Sequence, residues 1–136
     1  VDYSLGLFAY RAYAESNGLP TTEAELGRPT LIGYVPDLIV SPSLAYAAEF
    51  SADWRTSFAI SSALGQAEAV RSGAGIGILH TFVARSMPEL VAVDVVAPIR
   101  RAYWLVYHES VRPLRRIQIV AGFITKAVER EKSLFL

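Results

Sequence analysis

The sequence predicts a single α/β domain with a mainly parallel sheet. Short apolar segments typical of strands alternate with helical segments along the chain, which is the pattern of successive βα units. A length of 136 residues and a hydrophobic fraction of 52% suit one globular domain with a buried core. Charged residues make up 19%, and there is no internal repeat or low-complexity tract, so disordered and fibrous classes are excluded.

The strands are predicted from short runs of apolar, aromatic and β-branched residues. In chain order the segments are Tyr3–Tyr10, Thr30–Val35, Arg55–Ile60, Ala74–Leu79, Leu90–Val96 and Ala102–His108. The last of these, with Trp104, Val106 and two tyrosines, has the clearest strand pattern. Its aromatic side chains are therefore expected in the core.

The helices are predicted from apolar spacing and from their end signals. They cover Arg11–Asn17, one turn capped by Thr22 and Glu25, Ser43–Phe50, Ala63–Arg71, Thr81–Arg85, and a final helix from Pro113 to about Lys132. Asn17-Gly18 and Gly73 are expected to end helices, and Ser61 or Ser62 to begin one. In the helix after Ser62, apolar spacing places Leu64, Ala67 and Val70 on one side.

Composition and charge exclude several kinds of site. The chain has no cysteine, so disulfides and thiolate chemistry are impossible, and two histidines are too few to predict a metal site. A formal net charge of +0 does not favour nucleic-acid binding by this chain, although five arginines between positions 100 and 116 make a local basic patch. That patch could bind phosphates or RNA, but a solvated surface is the better interpretation. All apolar runs are too short to span a membrane.

The glycine-rich stretch Gly73-Ala74-Gly75-Ile76-Gly77 does not fit a dinucleotide-binding loop. Such a loop leads from a strand into a helix N-terminus, whereas here a helix precedes the glycines and a strand follows them. A helix end at Gly73 and close backbone packing at Gly75 and Gly77 explain the stretch. The sequence predicts no cofactor.

No catalytic residue is predicted. Ser61 or Ser62 with His80 or His108 would supply a nucleophile and a base, but no Gly-x-Ser-x-Gly pattern surrounds either serine. Helix capping explains the serines. His80, just after a buried strand, could hydrogen-bond a ligand or cap the following helix. A small α/β enzyme would require His80 or His108 to pack against a serine and a carboxylate.

Several motifs together resemble the effector domain of LysR-type transcriptional regulators. The segment from Ala69 to Leu90 resembles the family pattern A-V-x-A-G-x-G-I-A-x-L-P, followed by a short helix and a Pro-x-Leu turn. Residues 13–20 resemble the family's Y-L-x-x-x-G-x-P segment, and residues 22–26 the turn that follows it. Trp104–His108 with a terminal amphipathic helix resembles the family's closing strand and helix.

The resemblance implies a periplasmic-binding-protein-like (type 2) fold without enzyme activity. A small-molecule inducer would bind in a cleft between two α/β subdomains, and a separate helix-turn-helix domain would bind DNA in the cytoplasm. Residues from about 10 to 95 would form the second subdomain, and residues from about 101 to 136 would supply the closing strand and helix of the first subdomain. The family also implies a homo-oligomer joined through effector domains. An extracytoplasmic solute-binding protein of a transporter is the alternative with the same fold.

The expected effector site lies where strands end, since ligands of open α/β sheets bind beyond the carboxyl ends of strands. The candidate residues are Tyr34, Val35, Pro36, Ser61, Ser62, His80 and Thr81. Serine hydroxyls beside a helix N-terminus would suit a carboxylate effector. His80 stands where the family commonly has proline, so the chemistry at this edge is expected to differ.

The chain begins with Val1-Asp2-Tyr3, directly before a predicted strand, and shows no signal-peptide pattern. We therefore expect a fragment that lacks the DNA-binding domain and the first part of the effector domain. Its closing strand and helix would expose apolar surface, which predicts association with another copy or with the missing segment.

Overall fold

The computed structural model describes residues 1–41, 45–52 and 54–135, and this part of the chain forms six strands and five α-helices. The strands are β1 (Asp2–Tyr10), β2 (Leu31–Gly33), β3 (Phe58–Ala59), β4 (Ile76–His80), β5 (Leu90–Ala92) and β6 (Ile99–Ala102). The helices are α1 (Arg11–Asn17), α2 (Ala47–Phe50), α3 (Ala63–Arg71), α4 (Thr81–Arg85) and α5 (Arg115–Arg130). The strands and helices follow the predicted order, although β2, β3 and β5 are shorter than their predicted segments, and β6 lies before the strand predicted at Ala102–His108 except for Ala102.

The sheet is mixed, so the prediction of a mainly parallel sheet is wrong. Strands β3, β2 and β4 are parallel neighbours, but β1 lies antiparallel to β4. On the other side of β1, β5 pairs with its last residues and β6 with its first. Sequence periodicity carries no information on strand direction, so the central position of β1 could not be predicted from local pattern.

The core lies on both faces of this sheet. Alternating residues of β1 and β4, including Leu5, Leu7 and Ile78, pack on one face with Phe50 and Trp54. The opposite face buries the apolar side of α3 and α4 against the sheet, in a cluster formed by Ile32, Ala67, Ala69, Val70, Leu79 and Ala84. Both faces of the sheet are thus covered, which explains why β4 is a continuous apolar run.

Helix α3 has the predicted bounds and Ser62 caps it, since the Ser62 Oγ accepts a hydrogen bond from the Gly65 N–H at 3.3 Å. Its buried side includes Ala67 and Val70 but not Leu64, which is exposed. Gln66 is buried although it is polar, and its amide nitrogen donates a hydrogen bond to the Ile60 carbonyl at 2.8 Å. The predicted apolar side is therefore wrong at one position.

The glycines act as predicted. Gly73 follows α3 with φ of 81°, a conformation that favours glycine. A Cβ at Gly75 would lie 2.2 Å from the Thr30 carbonyl oxygen, and one at Gly77 would lie 2.5 Å from a Val70 methyl. These contacts require glycine for packing, and no helix N-terminus follows them.

The turn after α1 differs from the predicted capping box. A 3₁₀ turn spans Glu23–Gly27, but the Thr22 side chain makes no cap hydrogen bond. Instead Glu25 reaches back to Thr21 and accepts hydrogen bonds from its N–H at 2.8 Å and its hydroxyl at 3.0 Å. The predicted helix Ser43–Phe50 is confirmed only at Ala47–Phe50, and Ser43 and Leu44 lie outside the described residues.

The predicted strand Ala102–His108 is wrong beyond Ala102. The ladder with β1 ends where Val1 and Tyr103 exchange backbone hydrogen bonds of 2.8 and 3.0 Å, and no described strand pairs with residues 104–108. Trp104 and Val106 are each 83% exposed, so these side chains are not core. Helix α5 follows and buries none of its residues. Pro113 precedes the Leu114 cap rather than lying in the first turn.

Candidate functional site

Three loops with candidate residues leave the same edge of the sheet. Because β3, β2 and β4 are parallel, with Gly33 opposite Ala59 and Ile32 opposite Gly77, their carboxyl ends lie side by side. Ser61 and Ser62 follow β3, Tyr34 to Pro36 follow β2, and His80 is the last residue of β4, directly before Thr81. The shared edge agrees with the strand-end rule. Among the described side chains, no hydrogen bond or ring contact joins one of these three groups to another.

The loop between β3 and α3 presents two exposed serines. The Gln66 hydrogen bond to Ile60 fixes the loop backbone, and Ser62 caps the helix. The Ser62 oxygen accepts the capping hydrogen bond, so its own proton stays available to an acceptor such as a carboxylate. The free N–H groups of the first turn of α3 lie beside it.

The end of β4 is built from aromatic rings and two hydroxyls. The His80 ring stacks on Tyr3 with 5.2 Å between centroids, and Tyr3 stacks on Tyr103 at 4.2 Å. The Ser4 hydroxyl donates to Thr81 Oγ1 at 2.9 Å. Burial lowers the pKa of the His80 imidazole from 6.5, which favours the neutral ring. His80 makes no side-chain cap hydrogen bond to α4, so the capping interpretation is wrong.

The loop after β2 borders a cavity of about 380 Å³ on the sheet face that also carries His80. Tyr34 and Pro36 line it, together with Ile78 from the sheet and with Tyr46 and Trp54 from the segment around α2. Val35 precedes a 3₁₀ turn at Pro36–Leu38. Of the seven predicted site residues, two therefore line a cavity.

Four aromatic residues near this edge were missed by sequence reasoning. Tyr46 and Trp54 were assigned no role, Tyr3 was assigned to a buried strand, and Tyr103 was expected in the core. Burial raises the pKa of the Tyr46 phenol, and the phenols of Tyr34, Tyr3 and Tyr103 raise it further. Tyr34 and Tyr46 line the same cavity, Tyr3 packs against the core cluster that contains Tyr46, and Tyr103 stacks on Tyr3, so the four tyrosines form one group. Only the abundance of tyrosine, seven in the chain, signalled such a cluster.

The described residues contain no catalytic constellation. His108 is exposed, and its Nδ1 lies 2.7 Å from the Ser110 hydroxyl and accepts from the Ser110 N–H. Neither histidine is hydrogen-bonded to both a serine and a carboxylate in the described part of the chain. Within the same residues no group of three His, Asp or Glu side chains is placed to hold a metal ion. None of the helices described is both long and apolar enough to cross a membrane.

The chain is similar in fold to solved regulatory domains of transcriptional regulators. The chain superposes on the regulatory domain of CrgA, a LysR-type transcriptional regulator from Neisseria meningitidis, with a TM-score of 0.77 and 19% identity, covering 93% of this chain and 65% of that one. It also matches full-length AphB, the Vibrio cholerae virulence activator, with a TM-score of 0.63 and 22% identity, covering 90% of this chain and 46% of that one. The chain thus spans less than two thirds of each of these proteins. No curated protein sequence matches it.

The sequence model of the LysR substrate binding domain matches residues 1–129. The chain therefore belongs to the LysR substrate-binding domain family, and the predicted periplasmic-binding-protein-like (type 2) fold is confirmed. The match does not favour the alternative of a transporter's solute-binding protein. The division at about 10–95 and 101–136 stays a prediction.

Proposed function

We propose that this chain is the ligand-sensing part of a LysR-type transcriptional regulator. The observation that carries the proposal is the family match over residues 1–129. In this proposal a small-molecule inducer binds at the carboxyl edge of the sheet, and its binding alters DNA recognition by a separate helix-turn-helix domain. The chain acts without catalysis, in the cytoplasm, within a homo-oligomer joined through effector domains.

The loops at the carboxyl edge support a carboxylate-bearing inducer. The Ser62 hydroxyl and the N–H groups of the first turn of α3 are hydrogen-bond donors at an exposed place. Tyr34, Val35, Pro36, Ser61, His80 and Thr81 supply the remaining surface of the proposed site. The neutral His80 ring adds an uncharged partner that can donate or accept according to its tautomer.

The experiment is a thermal-shift screen of the whole chain against aliphatic acids, aromatic acids, amino acids and sugar acids. An inducer at about 100 times its dissociation constant should add roughly 2.7 kcal/mol to the free energy of unfolding. Ser62→Trp should abolish the shift because the bulky ring fills the site. Ser72→Trp is the matched control, since Ser72 lies at the opposite end of α3.

Two results would contradict the proposal. One is a folded chain that no compound of the panel stabilises. The other is a hit whose shift survives Ser62→Trp and equally bulky substitutions at Tyr34 and Thr81, because binding would then lie away from the sheet edge.

A further inference from the structure

The cavity beside Tyr34 has mostly apolar walls. At about 380 Å³ it falls within the range of small-molecule sites. Its described lining includes the Trp54 indole, 8% exposed, the Tyr46 ring, 5% exposed, and the Ile78 side chain from the centre of the sheet. Flat buried rings and an aliphatic floor suit a ligand with a ring of its own.

Arg55 is the single charged side chain among the described residues that line the cavity. It is exposed and makes no ion pair with a carboxylate of the described chain. An arginine at the mouth of an apolar cavity favours an anion, and a guanidinium matches a carboxylate through two parallel hydrogen bonds. The negative charge of the ligand is therefore expected to lie beside Arg55, at the mouth of the cavity.

Tyr46 supplies a second polar group. Its side chain is buried and lines the cavity. A tyrosine hydroxyl at a cavity wall is a group that can donate one hydrogen bond to a ligand or to water. Burial raises its pKa, which keeps the proton on the oxygen.

Two polar side chains that line the cavity, Trp54 and Thr56, are already hydrogen-bonded to each other. Trp54 Nε1 donates to Thr56 Oγ1 at 3.2 Å, which holds the indole in place and leaves its face to the cavity. A Cβ on Gly33 would lie 2.5 Å from that threonine oxygen, so glycine is required for Thr56 to sit there. The part of the cavity wall formed by Trp54 therefore offers apolar surface to a ligand.

We infer that this cavity binds the ring of an aromatic monocarboxylate, with Arg55 pairing with its carboxylate and Tyr46 donating a hydrogen bond to it. The inference rests on the proposed function, because it names the chemical class of the inducer. It extends the site to Tyr46, Trp54 and Arg55, and it places the carboxylate of the inducer at Arg55 rather than at Ser62. An aliphatic dicarboxylate would leave the aromatic walls uncovered, and an uncharged aromatic amide would leave Arg55 without a partner.

Tryptophan fluorescence of the whole chain tests the inference, because Trp54 lines the cavity and the only other tryptophan, Trp104, is 83% exposed. In a Trp104→Phe background Trp54 is the sole reporter. 3-Phenylpropanoate is the probe, with 3-phenylpropanamide and succinate for comparison. We expect 3-phenylpropanoate to change the Trp54 emission saturably, and both comparison compounds to bind at least about tenfold more weakly.

Two substitutions test separately the contributions of the Arg55 charge and of the Tyr46 hydroxyl to ligand affinity. Arg55→Gln should weaken 3-phenylpropanoate about tenfold or more while leaving the amide unchanged, and Arg112→Gln is the matched control on an exposed arginine outside the cavity. Tyr46→Phe keeps the ring and removes the hydroxyl, so it should weaken the carboxylate severalfold. Far-UV circular dichroism of each variant checks that it is folded.

Equal binding of 3-phenylpropanoate and its amide, or an unchanged affinity in Arg55→Gln, would overturn the inference. A Trp54 fluorescence emission that does not change when 3-phenylpropanoate is added would also overturn the inference. If another compound of the thermal-shift panel then stabilises the chain and depends on Ser62, the proposed function stands and only the ligand class is wrong. If no compound stabilises the chain, both proposals fail.

Discussion

Gly75 shows how one residue fixes the approach of two strands. A Cβ there would lie 2.2 Å from a backbone oxygen of Thr30, and backbone cannot move aside as a flexible side chain can. We predict that Gly75→Ala lowers the free energy of unfolding by about 1–3 kcal/mol, measured by urea denaturation. Gly122→Ala is the control, because its Cβ meets open space within α5 and should add about 0.5–1 kcal/mol. Equal effects of the two substitutions would contradict this reason.

His80 is expected to make stability depend on pH. Burial lowers its pKa in the folded chain below 6.5, so in the window just below pH 6.5 the unfolded chain binds the proton and the folded chain does not. The free energy of unfolding should therefore fall as pH is lowered through that window, and level off below the folded pKa. Urea denaturation between pH 5 and 8 checks this.

His80→Gln should flatten that dependence, because the titrating group is removed. His108→Gln is the control, because His108 is an exposed histidine. A parent chain whose stability does not change between pH 7.5 and pH 5 would contradict the expected protonation of His80.

Residues whose role depends on near neighbours could be predicted from sequence. Ser61 or Ser62 was expected to begin a helix and Gly73 to end it; Ser62 is the serine that caps α3, and Gly73 follows the end of that helix. The Tyr46 and Tyr103 rings could not be placed at the edge of the sheet, because they come from distant segments that meet only in the folded chain. Tyr3 and His80, which are 77 positions apart, are a further case.

At the scale of elements, the Ser62 cap of α3 contributes measurably to the free energy of unfolding. We predict that Ser62→Ala lowers the free energy of unfolding by about 1 kcal/mol, since the Gly65 N–H loses its side-chain acceptor. Ser61→Ala should change it by less than about 0.5 kcal/mol, because Ser61 is exposed and does not cap the helix. Thermal or urea denaturation of both variants provides the comparison, and a larger loss for Ser61→Ala would show that the wrong serine was assigned.

Helices were predicted better than strands because a helix satisfies its own backbone. The bounds of α1, α3 and α4 agree with the sequence pattern. Residues 102–108 have strand-like composition, yet a strand also needs a partner, and the ladder with β1 ends at Tyr103. Within a helix, the prediction from apolar spacing fails at Leu64, which is exposed. Gln66 is buried instead, because its amide nitrogen donates a hydrogen bond to the Ile60 carbonyl.

At the scale of the whole molecule, the exposed apolar face of α5 predicts self-association. Phe123 is 72% exposed, and Ile119 and Val120 lie beside it on the same face of the helix. Sedimentation velocity over a range of concentrations should show the parent chain forming larger species. Phe123→Lys should shift the distribution toward the monomer without loss of stability, because the side chain is not part of the core.

Leu64→Lys is the matched control, since Leu64 is an equally exposed apolar residue on α3. It should leave the sedimentation of the chain unchanged. A parent chain that sediments as a monomer at every concentration would contradict the prediction.

The fold class followed from the order of the elements, whereas strand direction did not. Alternation of strands and helices was enough to predict α/β architecture, and the shared edge of Tyr34, Ser62 and Thr81 followed from the parallel part of the sheet. The antiparallel pairing of β1 with β4, β5 and β6 depends on contacts between distant parts of the sequence. No local pattern encodes them.

The central place of β1 has a consequence during synthesis. β1 leaves the ribosome before its partners β4, β5 and β6, which follow it by about 70 to 100 residues, as the backbone bonds between Val1 and Tyr103 show. Until those partners emerge, both edges of an apolar strand stay open on the nascent chain. Closing such long loops slows folding, so β1 is the segment that chaperones would need to shield for longest.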